Sequence, residues 1–300
     1  MTSYQPHPIL VPSDLSSSSA EAVRVARQIA RDDEQVTVVY VALDHDLIAP
    51  GNIWGMDDVV QETAEECKER LSRWIADNNL GSVRQEIRRG DPGMEICKLA
   101  NDLSCPLIVV PSHGRKGLSR ILLGSVAERI IRHADCSVLV VRRDGTEEES
   151  ISDWQPRQRV VVPIDLSESS ALAVDTALQL VAEPQHVDVI NVVYTMNDTL
   201  AAGSIAVTQE DLEKNRSECL QRFLHDHGWT SLSSHILFGE PGMSIADYAD
   251  DTMAELVVMP SHGFHGFNRL LLGSTTERVL RHTKAPVLVL RRLDAEPHNG

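Results

Sequence analysis

The residues of this chain whose types and spacing suit chemistry are glycines that follow an apolar run, and a Gly-Ser step at the start of a helix. Gly114 and Gly117 let backbone amides turn toward a ligand without a Cβ in the way, and Gly124 permits close approach. Ser125 then begins a helix whose first amides have no intrahelical partners, and its hydroxyl is placed to donate to a phosphate oxygen. Orphan amides at the positive end of a helix dipole suit an anionic ligand such as a phosphate. The whole arrangement occurs twice. Pro111-Ser112-His113-Gly114, Leu122-Leu123-Gly124-Ser125, Glu128-Arg129, Arg132-His133 and Val138-Leu139-Val140 recur as Pro260-Ser261-His262-Gly263, Leu271-Leu272-Gly273-Ser274, Glu277-Arg278, Arg281-His282 and Val287-Leu288-Val289. Every shared residue keeps its offset, which marks an internal duplication.

Other candidates carry less. Asp14 and Asp165 follow the first apolar run of each copy, where an acceptor can read an amino or hydroxyl group at the far end of a ligand. Ser112-His113-Gly114 superficially suggests a nucleophile elbow, but Val110 stands two residues before the serine and the helix begins far too late. His113 and His262 have no second ligand at a zinc-like spacing, so hydrogen bonding within the loop is expected of them. Glu128-Arg129 and Glu277-Arg278 read as surface or interdomain ion pairs. Arg115, Lys116 and Arg120 offer positive charge to a phosphate tail, whereas copy two has Phe264, His265 and Arg269 there, so the second site is expected to be the weaker or the silent one.

The elements that must position these residues are legible from the apolar pattern. Strands are expected at Ile9–Pro12 and Val160–Pro163, at Val36–Val41 and Val187–Val193, at Leu107–Val110 and Leu256–Met259, and at Val138–Val141 and Val287–Leu290. A further strand in each copy ends at Gly90 or Gly239, and Asp91-Pro92 and Glu240-Pro241 signal the helix that follows. Ser16 to Ser19 and Ser167 to Ser170 are N-cap candidates for Ala-rich helices, and long charged helices are expected over about 59–78 and 209–227. Continuously apolar strands separated by helices indicate a parallel sheet covered on both faces. The expectation is an α/β chain with β-α-β-α-β-α-β-α-β written twice.

Three hundred residues accommodate two domains of ordinary size. The expected boundaries are 1–143 for the first domain, 144–157 for an acidic linker around Glu147-Glu148-Glu149, 158–294 for the second domain and 295–300 for a tail. The formal charge of −16 argues against nucleic acid or an anionic membrane as partner. Five cysteines, odd in number and without C-x-x-C spacing, read as reduced core thiols and favour the cytoplasm. The first residues lack a basic region and an apolar stretch of signal-peptide length, and no run approaches membrane-spanning length.

Over nearly its whole length the chain resembles a tandem member of the universal stress protein family. Nucleotide-binding members of that family carry Gly-x2-Gly-x9-Gly-(Ser/Thr), an early Pro-x-Asp and a valine closing the second strand. The spacing falls here on Pro111-x2-Gly114-x9-Gly124-Ser125 and Pro260-x2-Gly263-x9-Gly273-Ser274, and the early element on Pro12-Ser13-Asp14 and Pro163-Ile164-Asp165. The resemblance implies two Rossmann-like domains of the adenine-nucleotide α-hydrolase-like kind, each a five-stranded parallel sheet of order 3-2-1-4-5 flanked by helices. It further implies ATP, with or without Mg, held in the first copy by Pro12, Ser13, Asp14, Val41, Val110, Pro111, Gly114, Gly124, Ser125 and Val126. The matching set in the second copy is Pro163, Ile164, Asp165, Val192, Met259, Pro260, Gly263, Gly273, Ser274 and Thr275.

The departure from the family pattern is proline in place of the first glycine, in both copies. Proline removes a donor, and one lost hydrogen bond of about 0.5–3 kcal/mol weakens binding by up to roughly a hundredfold. The function implied is a cytoplasmic nucleotide-dependent switch or scaffold in the stress response. Two alternatives stand beside it: a scaffold that binds proteins or an apolar small molecule without nucleotide, and a weak ATPase, since no residue set supplies a clear catalytic base. Relatives of this fold that cleave ATP to pyrophosphate carry Ser-Gly-Gly-x-Asp-Ser after the first strand, where this chain has Pro12-Ser13-Asp14-Leu15. Single-domain family members pair through their last strands, which implies an intrachain pseudo-dimer through Val138–Val141 and Val287–Leu290 and leaves room for a homodimer.

Overall fold

In each copy the first strand is buried at every position, and Ile9, Leu10 and Val11, like Val160, Val161 and Val162, are fully buried. A strand buried on both faces needs helices on both faces, and the sequence supplies them between consecutive strands. The computed structural model describes residues 6–30, 32–42, 63–113, 123–142, 159–194, 209–262 and 272–291. The expected linker 144–157, the tail 295–300, Gly114, Gly117 and Gly263, and the basic positions Arg115, Lys116 and Arg120 with their counterparts Phe264, His265 and Arg269 lie outside the described residues. The described residues up to Arg142 form one compact unit and those from Arg159 a second.

Unit one contains β1 (Ile9–Ser13), α1 (Ser17–Ile29), β2 (Val36–Ala42), α2 (Ala64–Asp77), β3 (Arg84–Arg89), α3 (Pro92–Asp102), β4 (Leu107–Pro111), α4 (Ser125–His133) and β5 (Ser137–Val141). Unit two repeats the order with β6 (Val160–Pro163), α5 (Glu168–Leu180), β7 (Val187–Val193), α6 (Gln209–Asp226), β8 (Ser233–Phe238), α7 (Pro241–Asp251), β9 (Leu256–Pro260), α8 (Ser274–His282) and β10 (Val287–Leu290). Every strand pair within a unit is parallel, in the orders β3-β2-β1-β4-β5 and β8-β7-β6-β9-β10. This is the 3-2-1-4-5 order in each unit. Right-handed crossovers put α1 and α2 on one face of the first sheet and α3 and α4 on the other.

Local chemistry explains where the helices begin. The Ser16 and Ser167 side chains cap α1 and α5 by accepting from the amides of Ser19 and Ser170. The helix expected from about residue 59 starts at Ala64, because Thr63 and Glu66 close a capping box there. Asp91 and Glu240 cap α3 and α7, with Pro92 and Pro241 at the first helical position. The same two acids grip the next helix: Asp91 pairs with Arg129 of α4, and Glu240 with Arg278 of α8. Glu128 and Glu277 instead pair along their own helices with Arg132 and Arg281. Arg129 and Arg278 thus make surface ion pairs, as expected, and those pairs clamp neighbouring helices of one unit.

Gly93 and Gly242 let those arginine stems lie flat on the helix start. A Cβ added to Gly242 would stand 2.5 Å from Cβ of Arg278, an atom anchored to its backbone. Gly242→Ala should therefore lower unfolding stability by about 1–3 kcal/mol in urea titrations, the range of overpacked sites. No loss would show that α7 and α8 separate freely.

Four cysteines are buried and Cys219 is partly exposed. Burial pushes the Cys105 thiol up to about 11 and the Cys136 thiol up to about 12. Since the thiolate is the reactive species, Cys219 alone should react rapidly with an aromatic disulfide in the native protein. The other four should react only after denaturation, and a second fast thiol would contradict this packing.

Candidate functional site

The candidate site in each unit is a crevice made by strands that part. β1 pairs with β2 over five residues, from Ile9↔Val36 to Ser13↔Tyr40, but with β4 only at Ile9↔Leu107 and Leu10↔Ile108. β4 meanwhile stays with β5 to its end, at Pro111↔Val141. Past Leu10 an opening therefore lies between Pro12-Ser13-Asp14 and Val109-Val110-Pro111. In unit two β6 meets β9 only at Val160↔Leu256 and Val161↔Val257, while β6 follows β7 to Pro163↔Ile190. This is the switch point at which open parallel sheets take ligands.

The crevice also explains how proline stands in a central strand. The Ser112 amide donates to the Val141 carbonyl at 2.9 Å, and backbone groups alternate in direction along a strand. The Pro111 nitrogen therefore faces away from β5, toward the opening. No ladder bond to β5 is lost, and the missing donor belongs to the rim of the crevice. In unit two Ser261 donates to Leu290 at 3.0 Å and Pro260 is placed likewise.

Across the opening stand the N-termini of α4 and α8. Their N-cap residues are Gly124 and Gly273, neither of which has a side chain to cap with, whereas α1, α2, α3, α5 and α7 each receive a side-chain cap. The Gly124 amide donates to the Ser112 carbonyl at 2.8 Å, and the Gly273 amide to the Ser261 carbonyl at 2.9 Å. These bonds seat each helix start against the end of β4 or β9. A Cβ on Gly273 would lie 3.2 Å from the Ser261 carbonyl oxygen, a tight contact that glycine avoids. Thr276 adds a hydrogen bond of 3.1 Å to the Pro260 carbonyl that Ala127, its counterpart, cannot make.

The first loop holds its own network. Oδ1 of Asp14 accepts from the Ser19 hydroxyl at 2.7 Å and the Ser16 amide at 3.1 Å, and Leu15 takes a positive φ of 64°. Oδ1 of Asp165 accepts from Ser170 at 2.6 Å and Ser167 at 2.5 Å, with Leu166 again at 64°. Each aspartate expected to read a ligand thus first holds a strained turn and a helix start. Val41 and Val192 are half-buried near the ends of β2 and β7, one and two residues beyond the last β1 and β6 pairings. Val126 is exposed on the first turn of α4.

The sequence reading left three pairs of neighbours out of the site. Ser112 and Ser261, each nearly buried, share a hydrogen bond of 2.8 Å with Nδ1 of His113 and His262. Arg142, itself buried, and Arg291 follow β5 and β10, opposite Ser112 and Ser261 by continuation of the strand register. Their recurrence at constant offset is the signal that pointed to them. Among the described residues no cluster of histidine, cysteine and carboxylate side chains is arranged to hold a metal ion. Nor is any helix there long and apolar enough to cross a membrane.

Burial, and then the Arg291 guanidinium, hold the His262 imidazole below its usual value of 6.5. A depressed histidine contributes stability above that value, and loses it as pH falls through the folded-state value. The His262 ring should thus be less than half protonated at pH 6.5 in NMR titrations, where a solvated histidine is half protonated. Titration at 6.5 or above would remove the buried, arginine-flanked environment described here.

Comparison with known proteins gives a consistent picture. A profile of the Universal stress protein family matches residues 6–142 and again 156–291. A universal stress protein of Mycobacterium tuberculosis is 30% identical over 244 residues, which cover 80% of this chain and 79% of that protein. One from Mycolicibacterium smegmatis is 28% identical over 302 residues, covering 94% of this chain and 96% of that protein. The crystal structure of a universal stress protein from Archaeoglobus fulgidus has the same fold, with a TM-score of 0.63 at 23% identity over 96% of this chain and 97% of that one.

Proposed function

The chain belongs to the universal stress protein family, with two of its domains in tandem, and we propose that it is a cytoplasmic nucleotide-binding switch or scaffold that takes ATP at the strand-end crevices. The observation that carries this reading is the uncapped start of α4 and α8, where Gly124 and Gly273 leave the first helical amides to another acceptor. A phosphate supplies that acceptor and is favoured by the helix dipole. Ser125 and Ser274 open the helices and offer hydroxyls beside it. Arg142 and Arg291 add positive charge near the strand ends, which matters in a chain of formal charge −16.

The adenosine end of the ligand would lie toward Pro12-Ser13-Asp14 and Val41 in unit one, and toward Pro163-Ile164-Asp165 and Val192 in unit two. Binding is expected to be modest, because Pro111 and Pro260 present no donor to the opening. One missing hydrogen bond accounts for up to roughly a hundredfold in affinity. The role proposed is recognition of the nucleotide rather than its turnover.

Millimolar ATP with magnesium should raise the melting temperature, and isothermal titration should register heat. The absence of both would end the nucleotide reading. Pro111→Gly should tighten ATP in the first unit by up to roughly a hundredfold if the missing amide is the limiting defect. Unchanged or weaker binding would assign the limit elsewhere.

A further inference from the structure

We infer, resting on the nucleotide reading above, that Asn191 is a specificity-determining residue of the second crevice, whose side-chain oxygen accepts a hydrogen bond from an amino or hydroxyl group at the nucleoside end of the ligand. Asn191 lies in β7 after Val187, Val189 and Ile190, all buried and apolar. An asparagine there is a poor strand former and is costly to bury, because both halves of its amide demand partners. Only one half has one. Nδ2 donates to the Ile164 carbonyl at 2.8 Å, whereas Oδ1, in a residue only 6% exposed, has no hydrogen-bond partner among the described residues. Turning the amide over would not relieve this, because the Ile164 carbonyl accepts and cannot donate. The orphan is therefore a buried acceptor, and it calls for a donor that the chain does not supply.

Its position says which donor. The Ile164 amide donates to the Ile190 carbonyl at 2.8 Å and the Ile164 carbonyl takes the Asn191 amide, so the carboxamide sits where β6 ends beside β7. Ile164 and Val192, its immediate neighbours, belong to the end of the crevice assigned above to the adenosine. Asp165, the acceptor expected to read that end, already receives the hydroxyls of Ser167 and Ser170 on Oδ1. Unit one lacks an equivalent of the amide. Tyr40 is the fifth residue of β2, as Asn191 is of β7, and its hydroxyl accepts from Arg70 at 2.5 Å, with the guanidinium 4.8 Å from the ring centroid. A site built to hydrogen-bond a donor rejects the analogue without it, since the buried group is then left unpaired. Unit two thus discriminates by a donor that the 6-amino group of adenine or a ribose hydroxyl would provide, and unit one does so without this acceptor.

The amide signals of Leu15 and Leu166, in the matching first loops, report the two crevices separately in NMR titrations of the full chain with magnesium. The probes are ATP, the triphosphate of purine riboside, which lacks the 6-amino group, and 2′-deoxy-ATP and 3′-deoxy-ATP, each short of one ribose hydroxyl. One analogue should bind unit two at least about tenfold more weakly than ATP, the loss of one hydrogen bond, and which one it is identifies the donor. Asn191→Val, the residue type that dominates the rest of the strand, should bring that ratio in unit two to about one and leave the ratios in unit one as they were. A merely structural role would weaken ATP and analogue alike and leave the ratio unchanged. Circular dichroism checks folding, and Asn191→Ala is the second variant. Equal binding of ATP and all three analogues in unit two, or a discrimination that survives in the folded variants, would overturn the inference while the nucleotide reading stands; a bound water would then satisfy Oδ1. ATP that moves the Leu15 signal alone would equally overturn it, and ATP that moves neither signal would end both readings together.

Discussion

The ladder between β1 and β4 lasts for two residues, Ile9↔Leu107 and Leu10↔Ile108, while β4 keeps its pairing with β5 to the last residue. The upper half of unit one depends on that early parting. It opens the crevice, exposes the amide side of the β4 terminus to it, and leaves Pro111 free of any ladder duty toward β5. Unit two parts its strands after the same two pairings. A central parallel strand ordinarily excludes proline, because the lost donor would cost a sheet hydrogen bond. Here the donor direction falls where no neighbouring strand remains, so the fold accepts the residue and any cost appears in ligand binding instead.

The crevice needs its far wall held still, and helix clamps do this. Asp91 caps α3 while pairing with Arg129 of α4, and Glu240 does the same for α7 and α8. The Arg129 guanidinium holds the Asp91 carboxyl below its usual range. These pairs are half-exposed and contribute little stability by themselves. Their geometric effect is larger: Gly93 and Gly242 let each arginine stem lie against the start of the preceding helix, so the uncapped helix start that faces the crevice is fixed relative to the sheet.

Duplication allows the same fold position to be read twice with different chemistry. Buried Cys97, Cys105 and Cys136 are matched in unit two by buried Ala246, Ala254 and Ala285, so the backbone does not require thiols there. Charged β3 is matched by uncharged β8, on an equivalent backbone. By contrast, the proline, the Ser-His hydrogen bond, the glycine N-cap and the following arginine are the same in both units. Features held constant against such divergence outline the crevice. Those that vary mark surfaces and core positions where each unit has taken its own course.

The strands, their order of appearance and most helix boundaries were legible because they follow from local rules. Continuous apolar runs mark strands buried on both faces, Ser16 and Ser167 cap the helices they precede, and Asp91-Pro92 and Glu240-Pro241 open the next ones. The duplication was legible for the same reason, as was the Gly-Ser step at each helix start. Local pattern misjudged the start of α2, where Thr63 and Glu66 together override the longer charged periodicity. It placed Arg129 and Arg278 in surface ion pairs, which they make, but not their partners Asp91 and Glu240, which are distant in sequence. Which side the Pro111 nitrogen faces, that Asp14 and Asp165 are engaged by serines of the following turn, and that His262 lies beside Arg291 were decided only by tertiary structure. Each depends on strand register and on where paired strands separate, quantities set by packing between segments remote in sequence and by no single segment alone.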